Sequence, residues 1–581
     1  MHRGGSLALV ALLGGALALR LWGLKAGLPY VYNVDEASNF VPTAVSFYFT
    51  GSWDPHYFVN PPAFSYLLHA VLAGWFGGKR DVAETYATDP TAAFAVARAT
   101  SALLGTAAVG FVYATGARLY DRRVGLVAGT VMAVSFLGVF YSHLALNDVP
   151  ALLPLTVSVF GSAGVLVHGR RRDYALAGAG LGLAAATKYT DGIAVVPLLA
   201  AVATRLTATP ADRRRALRGA ALAAGLGLAA FVAANPHALL SFGEFWHDVR
   251  RQQQAASGFG KLGLTYHSGL VYYLWSLTWG LGWLPLGAAL LGMAVSGWRD
   301  RRRFWLLVPW PVLFIGYMGL QDRYFGRWLL PALPALALLA GVGAVWLADR
   351  LPGPGARRAM LGVLTAALAA QGLVYSVHVD RVLSREDTRN AVRDWMVANV
   401  PAGAKVAVEP IVPDAWFTDV GGRAVLDAAV REGAAESGRR WIKFATARTT
   451  FDPSNPARPA RPRFVSVEDY ERTLRPALVG SYERGGYCWV VVGSTQYGRA
   501  LADPDEVPQA LAYYRELARR GRLVYRASPY GRSSKPVDFS FDWSFDQYPL
   551  AYARPGPTVL VYRLHGDACA RGRAGRSPNR Q

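Results

Sequence analysis

Asp35 and Glu36 stand side by side in Tyr32-Asn33-Val34-Asp35-Glu36, directly after a first hydrophobic helix. Paired carboxylates at a membrane surface are either solvated loop residues or an acid–base site for chemistry on a lipid-borne substrate. Chemistry of the second kind needs few protein groups when the leaving group is a phosphate. A carboxylate takes the proton from an attacking hydroxyl, and cations hold the departing charge. Suitable cations are present in Arg98, inside a hydrophobic run, Lys188, at the end of another, and Arg323 and Arg327, ahead of a third. Arginine offers a planar fork to phosphate oxygens and lysine a point charge. A charge within a membrane span is costly unless it faces a cavity or a partner; for Arg98, snorkelling to the interface is the plain alternative.

Further along lie Gly51-Ser52-Trp53-Asp54-Pro55, Asn60-Pro61-Pro62 and a helix beginning Ala97-Arg98-Ala99-Thr100. In this order the motifs resemble those of membrane glycosyltransferases that use polyprenyl-phosphate sugars. These are the GT-C transferases, among them the protein O-mannosyltransferases, glycosyltransferase family 39 and the lipid A aminoarabinose transferases. The resemblance covers roughly residues 1 to 340. It implies an inverting transfer of a sugar from a polyprenyl-phosphate donor to an extracytoplasmic acceptor, which is a protein, a lipid or a cell-wall glycan. It makes Asp35 the candidate base, with Glu36 supporting it, and Asp148 the second carboxylate. As a residue before Val149-Pro150, Asp148 is equally suited to cap a helix. Thr187-Lys188-Tyr189 and Arg323-Tyr324 with Arg327 match family positions at the external membrane face, for donor phosphate alongside Arg98. Tyr32, His143 and His237 are candidates for acceptor or lid contacts. In the aminoarabinose transferases the Pro-Pro motif is preceded by Lys, whereas Asn60 stands here, so phosphate must be held elsewhere.

The elements that carry these residues are mostly membrane helices. Hydrophobic residues make up 52% of the 581, and they concentrate before about residue 378. Runs near the ~20 residues that cross a bilayer recur there, giving about eleven spans. They fall near 6–24, 92–117, 124–141, 149–167, 174–188, 191–205, 216–234, 269–296, 304–320, 327–348 and 359–378. The formal charge of +22 would suggest nucleic acid in a soluble protein, but its arginines sit in alternate loops, at 118–123, 170–172, 213–218, 299–303 and 350–358. That is the positive-inside pattern of a multi-pass protein with its N-terminus in the cytoplasm. No nucleic-acid partner is expected. Arginine-rich, Ala- and Gly-rich composition suggests a bacterial cell membrane.

Residues 25–91 form a long first external loop, with helical stretches at Ala37–Thr50 and Ala63–Phe76 lying at the interface. Residues 235–268 form a second, read as a lid. After 378 the pattern changes to a helix over Glu386–Val400, strands near Lys405–Glu409, Cys488–Gly493, Leu523–Arg526 and Thr558–Leu564, and a helix over Pro508–Arg520. That alternation predicts an extracytoplasmic α/β domain over 379–570, with loop over Gly421–Pro462 and a basic disordered tail over 571–581. Cys488 and Cys569, the only cysteines, are either paired or buried apart. No metal motif occurs, although Asp35 and Glu36 are a possible divalent-cation pair. A transporter or lipid flippase, or a membrane-anchored binding protein, are the rival readings. The first lacks repeated halves, and the second leaves the first-loop motif unexplained.

Overall fold

The computed structural model describes residues 2–207, 209–256, 262–418, 439–444, 467–541, 548–566 and 569. Seven helices among them are long and apolar enough to cross a bilayer: Thr91–Leu119, Asp148–Val167, Tyr189–Leu206, Pro210–Ala234, Gly269–Arg299, Gly326–Ala348 and Pro354–Asn399. Arg122–Val134 and Phe136–His143 make an eighth if taken as one span bent by 59°. The expected eleven are not reached by length. The run at 6–24 is apolar helix only over Leu7–Leu21, that at 174–188 is the 17-residue helix Arg171–Thr187, and that at 304–320 is broken into Arg301–Leu307 and Pro309–Gly319. Pro309 and Pro311 lack the amide protons that would carry the ladder across Val308.

The bend before Phe136 explains an arginine in the first helix. Ser135 is non-helical (φ −57°, ψ 123°), which frees carbonyls in the turn before it. The Arg20 guanidinium, fully buried, donates to Ala133 O at 2.9 Å and to Ala16 O at 2.9 Å. A polar side chain thus serves backbone that no water can reach.

Small residues let the helices touch. A Cβ on Gly182 would lie 2.0 Å from the carbonyl oxygen of Gly227, so Arg171–Thr187 and Pro210–Ala234 meet backbone to backbone. The basic loops gather at one end of the bundle. Arg118 lies 3.2 Å from Asp173, and Arg123 bridges Asp121 (2.9 Å) and Asp349 (2.6 Å). The 29-residue helix Thr91–Leu119 carries Arg118 at this end and Arg98 near the other.

Glu36–Phe40, Val41–Thr50, Ala63–Phe76 and Lys79–Thr88 are short helices of the first loop. Val41, Ala44, Val45, Phe64, Leu68 and Leu72 are buried in the main core of the bundle, so this loop is a packed layer. The chain then leaves the bundle through Pro354–Leu383 and the helix Thr388–Asn399. It builds a five-stranded sheet from β1 (Lys405–Val408), β2 (Ile442–Lys443), β3 (Trp489–Gly493), β4 (Gly521–Ala527) and β5 (Val559–Leu564). The order is β2-β1-β3-β5-β4, with β2, β1 and β3 parallel and β5 antiparallel to both its neighbours. Helices Thr388–Asn399 and Pro508–Arg520 pack on it, the first burying Val392 and Met396 and stacking Trp395 on Tyr525 at 4.8 Å. Cys488 and Cys569 are bonded, which settles the alternative their sequence left open. Of the expected loop over Gly421–Pro462, residues 439–444 include β2; the remainder, and the tail over 571–581, lie outside the described residues.

Candidate active site

The two first-loop carboxylates face different ways. Asp35 opens the helical turn Glu36–Phe40, which Asn33 starts by accepting the Glu36 amide at 3.1 Å and, through its carbonyl, the Ala37 amide at 2.9 Å. One step along a helical turn rotates a side chain by about 100°. Glu36 therefore points into the bundle, fully buried, where Arg98 Nε and Nη2 meet its two oxygens at 2.7 and 2.8 Å and the Ala145 amide donates at 2.9 Å. Asp35 stays part-exposed and receives Arg327 Nη2 at 2.5 Å.

Arg327 lies at the start of the turn that precedes helix Leu333–Ala348, and its Nε is 3.7 Å from Asp148 Oδ2. Asp148 is the first residue of its helix, and Asn147 at the cap position makes no side-chain capping bond. The Asp148 carboxylate instead meets Lys188 Nζ at 2.6 Å. Four side chains from four segments thus alternate in charge, Asp35, Arg327, Asp148 and Lys188. Arg323 lies in the same loop as Arg327, the two guanidiniums lying 5.3 and 4.7 Å from the Phe325 ring. Tyr57 is adjacent. Burial, with the charge of Asp35 nearby, pushes its phenol well up, so it remains neutral. Asn60, where a lysine was expected from the relatives, donates to the Tyr57 hydroxyl at 3.2 Å.

The other residues marked in the sequence have partners elsewhere in the protein. Arg98 is 2% exposed, and besides Glu36 its Nη1 donates to Leu24 O and Ala26 O, both at 2.9 Å. Its fork is used on the protein, which excludes both snorkelling and a free face for phosphate. Glu36 is likewise committed, so Asp35 and Glu36 do not converge on one cation. His143 is buried behind the site, with Nε2 2.8 Å from Trp22 O and 3.3 Å from Asp380 and Nδ1 3.2 Å from Phe140 O. Tyr32 gives its hydroxyl to Asn390. His237 faces Asp54 at 3.2 Å and belongs to a contact between loops.

That contact joins the first loop to residues 235–250. Ser241 donates to Asp54 at 2.5 Å, the Phe58 amide to Asp248 at 2.8 Å, and Tyr189 to Phe58 O at 3.0 Å. Burial pushes the Asp54 carboxyl up, but Ser241, the His56 amide and the two imidazoles outweigh it and hold it below the ordinary value. Ligand-capable atoms of Asp54, His56 and Glu244 lie within 4.8 Å of one another, so the metal-compatible geometry among the described residues is here and not at Asp35 and Glu36.

Sequence reasoning passed over Asp191, three residues after Lys188 and fully buried beside it, and Asp380, buried between Arg20 and His143. An acidic residue at the edge of an apolar run signals both: Asp191 opens the run taken as a span at 191–205, and Asp380 directly follows the one at 359–378.

Residues 92–239 match the model of the family described as dolichyl-phosphate-mannose-protein mannosyltransferase. No curated protein matches at a significant level. Among solved structures, ArnT from Cupriavidus metallidurans bound to undecaprenyl phosphate is 14% identical, with 97% of this chain and 98% of that one aligned and a TM-score of 0.53. The Archaeoglobus fulgidus oligosaccharyltransferase AglB, in complex with an inhibitory peptide and a dolichol-phosphate, is 12% identical over 96% of this chain and 88% of that one, with a TM-score of 0.54. An Archaeoglobus fulgidus oligosaccharyltransferase in complex with Zn and sulfate gives a TM-score of 0.55 at 12% identity over 96% of this chain and 88% of that one. The shared element is the fold, over nearly the whole of this chain and with the α/β domain included in the alignment.

Proposed function

We propose that this protein is an inverting membrane glycosyltransferase, moving a hexosyl or pentosyl group from a polyprenyl-phosphate carrier to an extracytoplasmic acceptor. The observation that carries this reading is the alternating chain Asp35–Arg327–Asp148–Lys188 at the end of the bundle away from the arginine-rich loops. Positive-inside topology puts those loops in the cytoplasm and the site, with the α/β domain, outside a bacterial cell membrane. The family match and the fold shared with ArnT and AglB support the donor class, since those structures hold undecaprenyl phosphate and dolichol-phosphate.

The ion pairs suggest how the steps follow one another. Arg327 neutralises Asp35. A donor phosphate offers Arg327 and Lys188 a competing anion, with Arg323 as a third cation, and draws Arg327 away from Asp35. The released carboxylate then accepts the proton of the acceptor hydroxyl as that oxygen attacks the anomeric carbon from the face opposite the phosphate. The carbon–oxygen bond to phosphate breaks with its electron pair on phosphate, and the cations hold the charge. Donor binding and activation of the base are one event in this scheme. Glu36 and Arg98 fix the loop. A divalent cation, if one is needed, has its ligands at Asp54, His56 and Glu244 and serves the contact between loops.

Purified protein incubated with a panel of polyprenyl-phosphate sugars tests the reading through release of polyprenyl phosphate dependent on an added acceptor. Release from no donor in the panel would count against it.

A further inference from the structure

Tyr30 and Tyr32, in the loop that carries Asp35, pack against the core of the α/β domain built by Val392, Met396, Val400, Trp416 and Trp441. Tyr32 is held on two sides. Its hydroxyl donates to Asn390 Oδ1, and the Arg389 guanidinium lies over its ring, 3.5 Å from the centroid. Burial, with the charge of Asp387 added, keeps the phenol protonated by raising its pKa well above the usual value, so it remains a donor. Arg389 is itself held flat, because Nε and Nη2 meet the two oxygens of Asp387 at 2.8 and 2.7 Å. Asp387, 2% exposed, also caps the helix that bears Arg389 and Asn390 by accepting the Arg389 amide at 2.8 Å. Thr388 ties that helix to the far end of the domain through Pro557 O at 2.7 Å. A second contact lies close by, where His378 is hydrogen-bonded to Pro549 O at 3.0 Å and Tyr548 packs on Phe140.

Asp35 therefore sits between two anchors. On one side Glu36 is locked to Arg98 in the bundle; on the other Tyr32, three residues away, is locked to the α/β domain. The third restraint on Asp35 is Arg327, and the proposed mechanism removes it when donor phosphate arrives. From that moment the position of the carboxylate depends on the two anchors alone.

We propose that the α/β domain is part of the transfer machinery, with Asn390 and Arg389 acting as positioning residues that hold Tyr32, and through it Asp35, against the acceptor hydroxyl. This rests on the reading of Asp35 as the base. It gives the domain a role in turnover: a displacement of about 1 Å in a reacting group costs on the order of 10²-fold in rate.

The test measures kcat, KM for acceptor and equilibrium binding of polyprenyl phosphate in the full-length Tyr32→Phe, Asn390→Leu and Asn390→Asp proteins, each normalised to its folded fraction. The first two lose the hydroxyl bond; the third keeps an oxygen to accept it. The expected result is kcat reduced by tenfold or more in Tyr32→Phe and Asn390→Leu, binding of polyprenyl phosphate within twofold of wild type, and recovery of most of kcat in Asn390→Asp. A bond that merely stabilised the fold would lower the folded fraction and leave kcat per folded molecule unchanged. Wild-type kcat in both Tyr32→Phe and Asn390→Leu overturns the proposal. An Asp35→Asn control separates the two levels. If that variant is inactive while the clamp variants are normal, the clamp alone is wrong; if it turns over, the base assignment fails and the clamp with it.

Discussion

Glu36 and Arg98, 62 residues apart, form a two-pronged ion pair with both side chains almost wholly buried, while Asp35, the neighbour of Glu36, meets a different arginine at the surface of the site. Removing either partner of the buried pair leaves an uncompensated charge. Glu36→Gln and Arg98→Gln should each destabilise the bundle by roughly 3–5 kcal/mol. Thermal unfolding in detergent, followed by helix content, reads this. Near-wild-type melting with donor binding lost in Arg98→Gln would return Arg98 to the phosphate site.

Lys188 and Arg327 meet Asp148 and, on this account, exchange it for donor phosphate when the donor binds. Lys188→Gln and Arg327→Gln should weaken binding of polyprenyl phosphate by roughly 1–3 kcal/mol each, about ten- to a hundredfold, and Arg323→Gln by less. Isothermal titration or competition with a labelled lipid measures this. Unchanged affinity in all three variants would move the phosphate site toward Arg250 and Arg251.

Topology follows from the segregation of charge between the two ends of the bundle. Single cysteines near 122, 171, 214, 302 and 357 should react with an impermeant thiol reagent only after the membrane is opened, and those near 35, 148 and 250 in intact cells. External labelling at 214 would contradict the orientation.

Glu409 gives the α/β domain a pH dependence. It is 2% exposed, hydrogen-bonded to Tyr514 at 2.7 Å and the Gly493 amide at 2.9 Å, and burial pushes its carboxyl up to about 8. The folded value exceeds the ordinary one of 4.5, so the contribution of Glu409 to stability is fully present below about pH 4.5 and is lost as pH rises toward 8. Glu409→Gln should flatten that fall, by a few kcal/mol at most. Hydrogen exchange of the β3 amides at pH 5 and pH 8 in the two proteins decides it; equal pH dependence in both would be contrary.

Asp35, Asp148, Lys188 and Arg327 were marked by their places in the motifs that resemble the polyprenyl-phosphate-sugar transferases, and they come together. Arg98 was marked as a charge inside an apolar run, which must find a partner, and it found one within the protein, as did His143. Sequence could not separate the two outcomes, since Glu36 lies 62 residues from Arg98 and Asp35 292 from Arg327. Four of the five strands of the α/β domain, and its helices Thr388–Asn399 and Pro508–Arg520, were legible from alternation and from Pro508 and Gly493 at their ends, whereas β2 lies in a stretch read as loop. Its grip on Tyr32 was not, because nothing in Asn390 or Arg389 distinguishes a clamp from an exposed helix face. Helix length misled in a definite way: prolines at 309 and 311 and the turn at Ser135 break runs whose composition alone suggests continuous spans.

The central claim is that Asp35 accepts the acceptor's proton once donor phosphate has taken Arg327. Asp35→Asn is nearly isosteric, removes the base and frees Arg327. Single-turnover sugar transfer in that variant, measured beside its binding of polyprenyl phosphate, tests the claim most directly. The account predicts transfer reduced by roughly 10² to 10⁴-fold with lipid binding as tight as wild type or tighter. Transfer at the wild-type rate, or lipid binding lost together with transfer, would contradict it.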